Sequence, residues 1–131
     1  MSERQEYRVA GQAEPISHYT DAVRAGDLLF VSGCVSVDPH GHLVGGDDVV
    51  AQARQVFRNI GEVLAAAGAG FGDVVKVTVF LIDMADRGRI NSVRREVFGS
   101  TRPASTLVEV SALAVDGAKI EVEAVALVPQ A

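Results

Sequence analysis

The chain contains 131 residues, the size of one domain built around one hydrophobic core. Apolar residues make up 48% and charged residues 22%, which excludes a disordered chain. The formal net charge of −5 argues against a nucleic-acid partner, because phosphate neutralisation by basic residues supplies most of that affinity.

The sequence also argues against membrane insertion and secretion. Its first ten residues are polar and lack the apolar stretch of a signal peptide. The longest nearly apolar run, residues 74–82, is far too short to span a bilayer. A single cysteine excludes a disulfide within the chain. We therefore expect a cytoplasmic protein with no membrane partner.

The N-terminal third predicts three strands. A short one is expected near residues 7–9, a second over 21–25 and a third over 28–35, with a Gly-Asp turn between the last two. Strict alternation along the third strand puts four side chains on one face: Leu28, Phe30, Ser32 and Cys34.

A long amphipathic helix is predicted next. Asp47 and Asp48 are good N-terminal residues, apolar residues recur every three or four positions to Ala67, and Gly68 suits the position after the helix. The polar side of this helix is expected to carry Gln52, Gln55, Asn59 and Glu62.

The remaining segments complete an α+β fold. Residues 74–80 predict a strand with Val75, Val77 and Val79 on one face, and residues 86–98 predict a second helix. Strands over 105–110 and 119–127 follow. This order gives a single domain, residues 1–131, with a mixed six-stranded sheet and both helices on one face. Since no helix remains for the second face, we expect a partner chain to cover it.

The residues themselves raise four kinds of candidate site. The turn containing His40 and His42 lacks further ligands at metal-binding spacing, so no metal is predicted. The glycines at 68–72 follow a helix, the wrong order for a dinucleotide site. A free cysteine such as Cys34 is usually a small apolar residue, although a nucleophilic role stays open. Glu121 and Glu123 lie on one strand face about 7 Å apart, which indicates either a solvent-facing strand or a functional pair.

Several segments together are specific. They are PISHY at 15–19, AGDLLFVSG at 25–33, DVVKVTVFL at 73–81, PASTLVEV at 103–110 and IEVEAVA at 120–126. With these segments the chain resembles the RidA/YjgF family of enamine and imine deaminases, also labelled endoribonuclease L-PSP, over essentially its whole length.

The resemblance implies a chorismate-mutase-like fold and a homotrimer whose sheets form a central barrel. It implies small-molecule clefts between neighbouring subunits, where reactive enamines or imines are hydrolysed to a carbonyl compound and ammonia. It implies no metal and no organic cofactor.

The resemblance also assigns residues to that cleft. Glu121 falls on the glutamate that positions the attacking water. The expected substrate-binding positions are Tyr19, Ser32, Gly33, Cys34, Asn91, Ser105, Thr106 and Leu107.

Three departures from the family pattern stand in this cleft. Ser17-His18 replaces the Gly-Pro before Tyr19, Cys34 replaces a glutamine, and Ser105 replaces the arginine that grips the substrate carboxylate. A serine hydroxyl offers one neutral donor where arginine offers a charged, two-pronged one. We therefore expect poor turnover of short 2-imino acids, unless Arg102 or Arg24 supplies the missing cation.

Other functions remain open at this point. The trimer could bind a small molecule without catalysis, or deaminate a larger enamine such as 2-aminomuconate. Ribonuclease activity is disfavoured by the acidic charge. A redox role for Cys34 requires an accessible thiolate, which a sequence does not show.

Overall fold

The computed structural model describes residues 3–129. The strands are β1 (Arg4–Tyr7), β2 (Ala22–Ala25), β3 (Leu28–Cys34), β4 (Val74–Leu81), β5 (Ala104–Glu109) and β6 (Ile120–Leu127). The helices are α1 (Val49–Ala66) and α2 (Asn91–Phe98), with short 3-10 turns at Phe71–Asp73 and Met84–Asp86. No helix within residues 3–129 is long and apolar enough to cross a membrane.

The six strands form one mixed sheet in the order β1-β2-β3-β6-β4-β5. Only the β4–β5 pair is parallel among these strands, and the other neighbours are antiparallel. The predicted α+β class and the six-stranded mixed sheet with two helices are confirmed. The edge strand β5 follows α2 in the chain after residues 99–103, and a hydrogen bond from Arg94 to Ser105 links the two elements.

The hydrophobic core lies between the helices and one face of the sheet. Alternate residues of β6 (Ile120, Val122, Ala124 and Ala126) are almost fully buried and face α1. The opposite face, which we call the open face, has no helix over it among the described residues. Phe30 and Leu127 lie on it and are 46% and 48% exposed.

The predicted helix α1 is confirmed with its caps. The Asp48 side chain accepts hydrogen bonds from the backbone N–H groups of Val50 and Ala51, at 3.0 and 3.3 Å. Gly68, with φ of +79°, follows the C-cap residue Ala67. The expected polar side of α1 is wrong for two residues, Gln52 and Asn59, which are buried because their amides bond to loop backbone.

Two β-bulges overturn the predicted strand faces. Between Val31 and Cys34 the register of β3 against β6 shifts by one residue, so Cys34 shares the helix-facing side with its partner Val122. A second bulge follows Val74, which leaves Val75 41% exposed while Val77 and Val79 remain buried.

Two predicted boundaries are also wrong. The first strand covers Arg4–Tyr7 rather than residues 7–9, because its backbone pairs with β2 in that register. The second helix begins at Asn91 rather than at residue 86. Asp83 caps a separate 3-10 turn there, accepting from the backbone N–H of Ala85 at 2.9 Å.

A cluster of three phenylalanines joins the two helices, and we call it the aromatic cluster. It consists of Phe57 from α1, Phe71 from the first 3-10 turn and Phe98 from the end of α2. Their rings meet edge to face with centroids 5.5 to 6.4 Å apart. This packing fixes the end of α2 against the core.

Candidate functional site

A pocket of about 580 Å³ opens at the end of β3. One wall is the loop between β1 and β2, and the others come from β3, β6 and α1. Its lining includes Tyr19, Ser32, Gly33, Cys34, Asn59 and Glu121. Five of these six were expected site residues, so the structure brings one part of the predicted site together.

Glu121 is the half-buried carboxylate of this pocket. Burial raises the pKa of its carboxyl group, and the negative charge of Glu123 raises it further. Gly33 provides the space, since a Cβ there would lie 2.5 Å from the Glu121 Oε2. The carboxylate therefore lies directly against the β3 backbone, and a side chain at position 33 would require Glu121 to shift.

Ser32 connects strand β3 to the loop between β1 and β2. Its hydroxyl donates to the carbonyl of Thr20 at 2.6 Å, and its backbone N–H donates to the carbonyl of Asp21 at 3.0 Å. The Asp21 carboxylate in turn accepts from the Val9 backbone at 2.7 Å and pairs with Arg8. These contacts hold the loop that carries Tyr19, whose side chain is 49% exposed.

Cys34 and Asn59 form the inner side of the pocket. Burial raises the pKa of the Cys34 thiol to about 12, with smaller effects from the charges of Asp21 and Glu121. Asn59 was missed as a site residue, because its helical position looks polar and solvent-facing in the sequence. Its amide donates to the carbonyls of Val35 and Val37 at 3.2 and 3.0 Å, which fixes the chain after the β3 bulge.

The other expected residues lie elsewhere on the chain. Asn91 begins α2, and Ser105, Thr106 and Leu107 belong to β5. Three strand spacings separate β3 from β5, which is about 14 Å. The predicted site therefore divides into a pocket group and a β5 group, and one chain does not bring the two together.

Within the β5 group, adjacent residues point to opposite faces. Thr106 is on the open face, where its hydroxyl accepts from Lys76 Nζ at 2.6 Å. Ser105 and Leu107 are on the helix side, level with Val77 and Val79. The Ser105 hydroxyl accepts a 2.7 Å hydrogen bond from the guanidinium of Arg94 in α2, a residue that sequence reasoning missed.

The two arginines considered from the sequence make different contacts. Arg24 donates to the Gly26 carbonyl at 2.9 Å, in the turn at the far side of the sheet. Arg102 is exposed just before β5 and has no hydrogen-bond or ion-pair partner within residues 3–129. Neither side chain hydrogen-bonds to Ser105 within the described residues.

Histidine, cysteine and acidic side chains form no cluster of three or more that could hold a metal ion in residues 3–129. His40 and His42 face each other in their turn, with ring centroids 6.3 Å apart. The pocket presents instead one half-buried carboxylate, hydroxyl groups and backbone groups, which can bind and orient water beside a small ligand.

Comparison with known proteins identifies the family. The family model described as endoribonuclease L-PSP matches residues 10–128. The chain belongs to this family, also called RidA/YjgF. A RutC family protein of Pyrococcus horikoshii is 46% identical over 114 residues, 86% of this chain and 89% of the relative.

Two further relatives carry more informative names. The 2-iminobutanoate/2-iminopropanoate deaminase of Mus musculus is 42% identical over 113 residues, 86% of this chain and 82% of the mouse protein. The crystal structure of E. coli TdcF with bound serine matches with a TM-score of 0.83 at 31% identity. That match covers 93% of this chain and 98% of TdcF.

Proposed function

We propose that this RidA/YjgF protein hydrolyses a small enamine or imine to the corresponding carbonyl compound and ammonia. The observation that carries the proposal is Glu121, a half-buried carboxylate against Gly33 in a pocket of about 580 Å³. The name of the mouse relative supports the reaction class. The serine bound to TdcF supports a ligand of amino-acid size.

The reaction requires one positioned water molecule. Glu121 as a carboxylate accepts a hydrogen bond from the water and directs its oxygen toward the imine carbon. A C–O bond forms while the nitrogen takes a proton, giving a carbinolamine. The C–N bond then breaks as the hydroxyl proton is transferred to the nitrogen, so that ammonia leaves with the electron pair of the C–N bond and the carbonyl forms. The Ser32 hydroxyl, which donates to Thr20, can still accept a hydrogen bond from the ligand, and the Tyr19 hydroxyl, which accepts from the Ile16 N–H, can still donate one.

We propose further that two copies of the chain complete each cleft, as in the homotrimer that the family resemblance implies. The division into a pocket group and a β5 group supports this, because residues about 14 Å apart do not contact one small ligand. The exposed apolar side chains of the open face support assembly as well.

The proposal is tested by replacing Glu121. An amino-acid oxidase would generate imines from several amino acids, with semicarbazide trapping what the protein leaves. We expect Glu121→Gln to lose at least about 100-fold in rate, the usual contribution of a positioned acid-base group. Glu96→Gln is the matched control, since Glu96 pairs only with Arg54 on the surface. Full activity of Glu121→Gln would overturn the proposed role.

Two other outcomes are informative. Stabilisation of the protein by a ligand without any turnover would favour the non-catalytic binding protein. Binding of RNA that weakens steeply with salt would favour the ribonuclease named in the family description. The net charge of −5 argues against that second result.

A further inference from the structure

Arg94 has an unusual set of partners. Its half-buried side chain reaches from α2 to β5, where its Nη2 donates to the Ser105 hydroxyl at 2.7 Å. Within residues 3–129 no carboxylate pairs with it. A guanidinium carries five N–H donors, so one neutral hydroxyl leaves most of them without a protein partner.

The nearby acidic residues are already engaged. Glu96, two positions further along α2, pairs with Arg54 at 3.0 Å. Glu109 at the end of β5 accepts from the backbone N–H of Met84 at 2.9 Å. In a chain with 17 acidic and 12 basic residues, a half-buried arginine without a carboxylate indicates a place for an anion from outside.

Burial lowers the pKa of the Arg94 guanidinium, but an arginine side chain stays charged at neutral pH. The cation therefore persists where water is partly excluded, and an anion binds more strongly there than at the surface. The planar fork of a guanidinium fits the two oxygens of a carboxylate.

We propose that Arg94 binds the carboxylate of the substrate and that Ser105 orients its guanidinium. This inference rests on the proposed function and names its substrate class, imines that carry a carboxylate. The sequence offered Arg102 and Arg24 as substitutes for the arginine missing at position 105. Arg94 is in helix α2, and its guanidinium lies beside Ser105 of β5, the position where the family pattern has arginine.

The test compares two neighbouring arginines. Wild type, Arg94→Gln and the matched control Arg95→Gln would be assayed for hydrolysis of 2-iminobutanoate. Binding of the stable product 2-oxobutanoate would be measured by NMR titration, with 2-oxobutanamide as the uncharged comparator. Arg95 is exposed and one position away, so its loss changes the helix charge equally.

We expect Arg94→Gln to weaken 2-oxobutanoate binding and to lower kcat/KM by about 30-fold or more, the effect of removing one partner of a charged pair. Arg95→Gln should stay within about twofold, and binding of 2-oxobutanamide should not depend on Arg94. Circular dichroism and Tm would establish that each variant is folded.

A double variant makes the test stricter. Arg94→Gln with Ser105→Arg returns a guanidinium to the same place from the strand, so we expect it to recover part of the lost binding. Failure of this rescue, together with equal behaviour of Arg94→Gln and Arg95→Gln, would overturn the inference.

The possible failures are distinguishable. Hydrolysis by wild type that is insensitive to Arg94 would overturn the inference and leave the proposed function standing. Arg94-dependent binding of 2-oxobutanoate without any hydrolysis would overturn the proposed function and leave the role of Arg94 in binding the carboxylate standing. A wild-type protein that neither binds 2-oxobutanoate nor hydrolyses the imine would overturn both.

Discussion

Glu121 and Glu123 project from the same face of β6, two residues apart, and this spacing affects how Glu121 titrates. Its pKa is raised above the ordinary value of 4.5, first by burial and then by the charge of Glu123. Water orientation requires the ionised form of Glu121. Activity should therefore disappear as pH falls through a pKa that lies above 4.5.

This titration gives a prediction for Glu123→Gln. Removing the neighbouring negative charge makes ionisation of Glu121 easier, so its pKa falls while the contribution of burial remains. We expect the acid limb of the pH–rate profile to move to lower pH, measured as kcat/KM from pH 4 to 8. A limb that stays in place or moves to higher pH would contradict the effect of the Glu123 charge on Glu121.

At the scale of single residues, the sequence names residues of the candidate site, but it does not show which side chains those residues contact. Glu121 and Ser32 stand in segments whose resemblance to the family names them directly. Arg94 does not, because nothing local to a helical arginine shows which strand residue its guanidinium meets. That contact depends on how α2 packs beside β5, which is a property of the folded chain.

The β3 bulge is the element that determines the environment of Cys34. By shifting register between Val31 and Cys34, it turns the thiol to the helix side of the sheet, beside Val122. There the pKa of Cys34 is raised to about 12, because burial and nearby negative charges disfavour the thiolate. The structure therefore argues against the redox role considered from the sequence.

A thiol titration checks this assignment. At pH 7.5 we expect the folded protein to react with a thiol reagent at least about 100-fold more slowly than the unfolded chain, which should expose one thiol per chain. The measurement is the rate at which a chromogenic disulfide reagent releases its coloured thiolate. Rapid, stoichiometric labelling without loss of structure would contradict the assignment.

The elements themselves differ in how well the sequence predicts them. Helix α1 was predicted closely, since its apolar repeat, its capping Asp48 and the following Gly68 are all local signals. The bulges were not predicted, because an extra residue in one strand is defined only against its partner. The start of α2 was misplaced because a 3-10 turn and a helix look alike over one turn of sequence.

At the scale of the whole molecule, the open face is the feature that a monomer does not explain. Apolar side chains of three strands lie on this face, including Phe30 from β3, Phe80 from β4 and Leu127 from β6. The apolar pattern of these strands predicted an uncovered face, and the described residues contain no element over it. What covers it remains a prediction, which we expect to be further copies of the chain.

Phe30→Lys tests that expectation. A charge on the open face should oppose burial against another copy, so we expect the variant to shift from an oligomer toward a monomer and to lose activity. Mass would be measured by size-exclusion chromatography with light scattering. Ala65→Lys is the control, because Ala65 is exposed on α1 at the opposite side of the sheet. A monomeric wild type would contradict the expectation.

The aromatic cluster acquires a second role from this arrangement. Helix α2 has eight residues and is too short to be stable alone, so its position depends on Phe98 packing against Phe57 and Phe71. The same helix carries the proposed carboxylate-binding arginine. Under this proposal, substrate preference depends on the packing of the hydrophobic core. A smaller or larger side chain in place of one of these phenylalanines would move α2 and with it the Arg94 guanidinium. The substrate preference of the chain could then change during evolution without any substitution in the cleft.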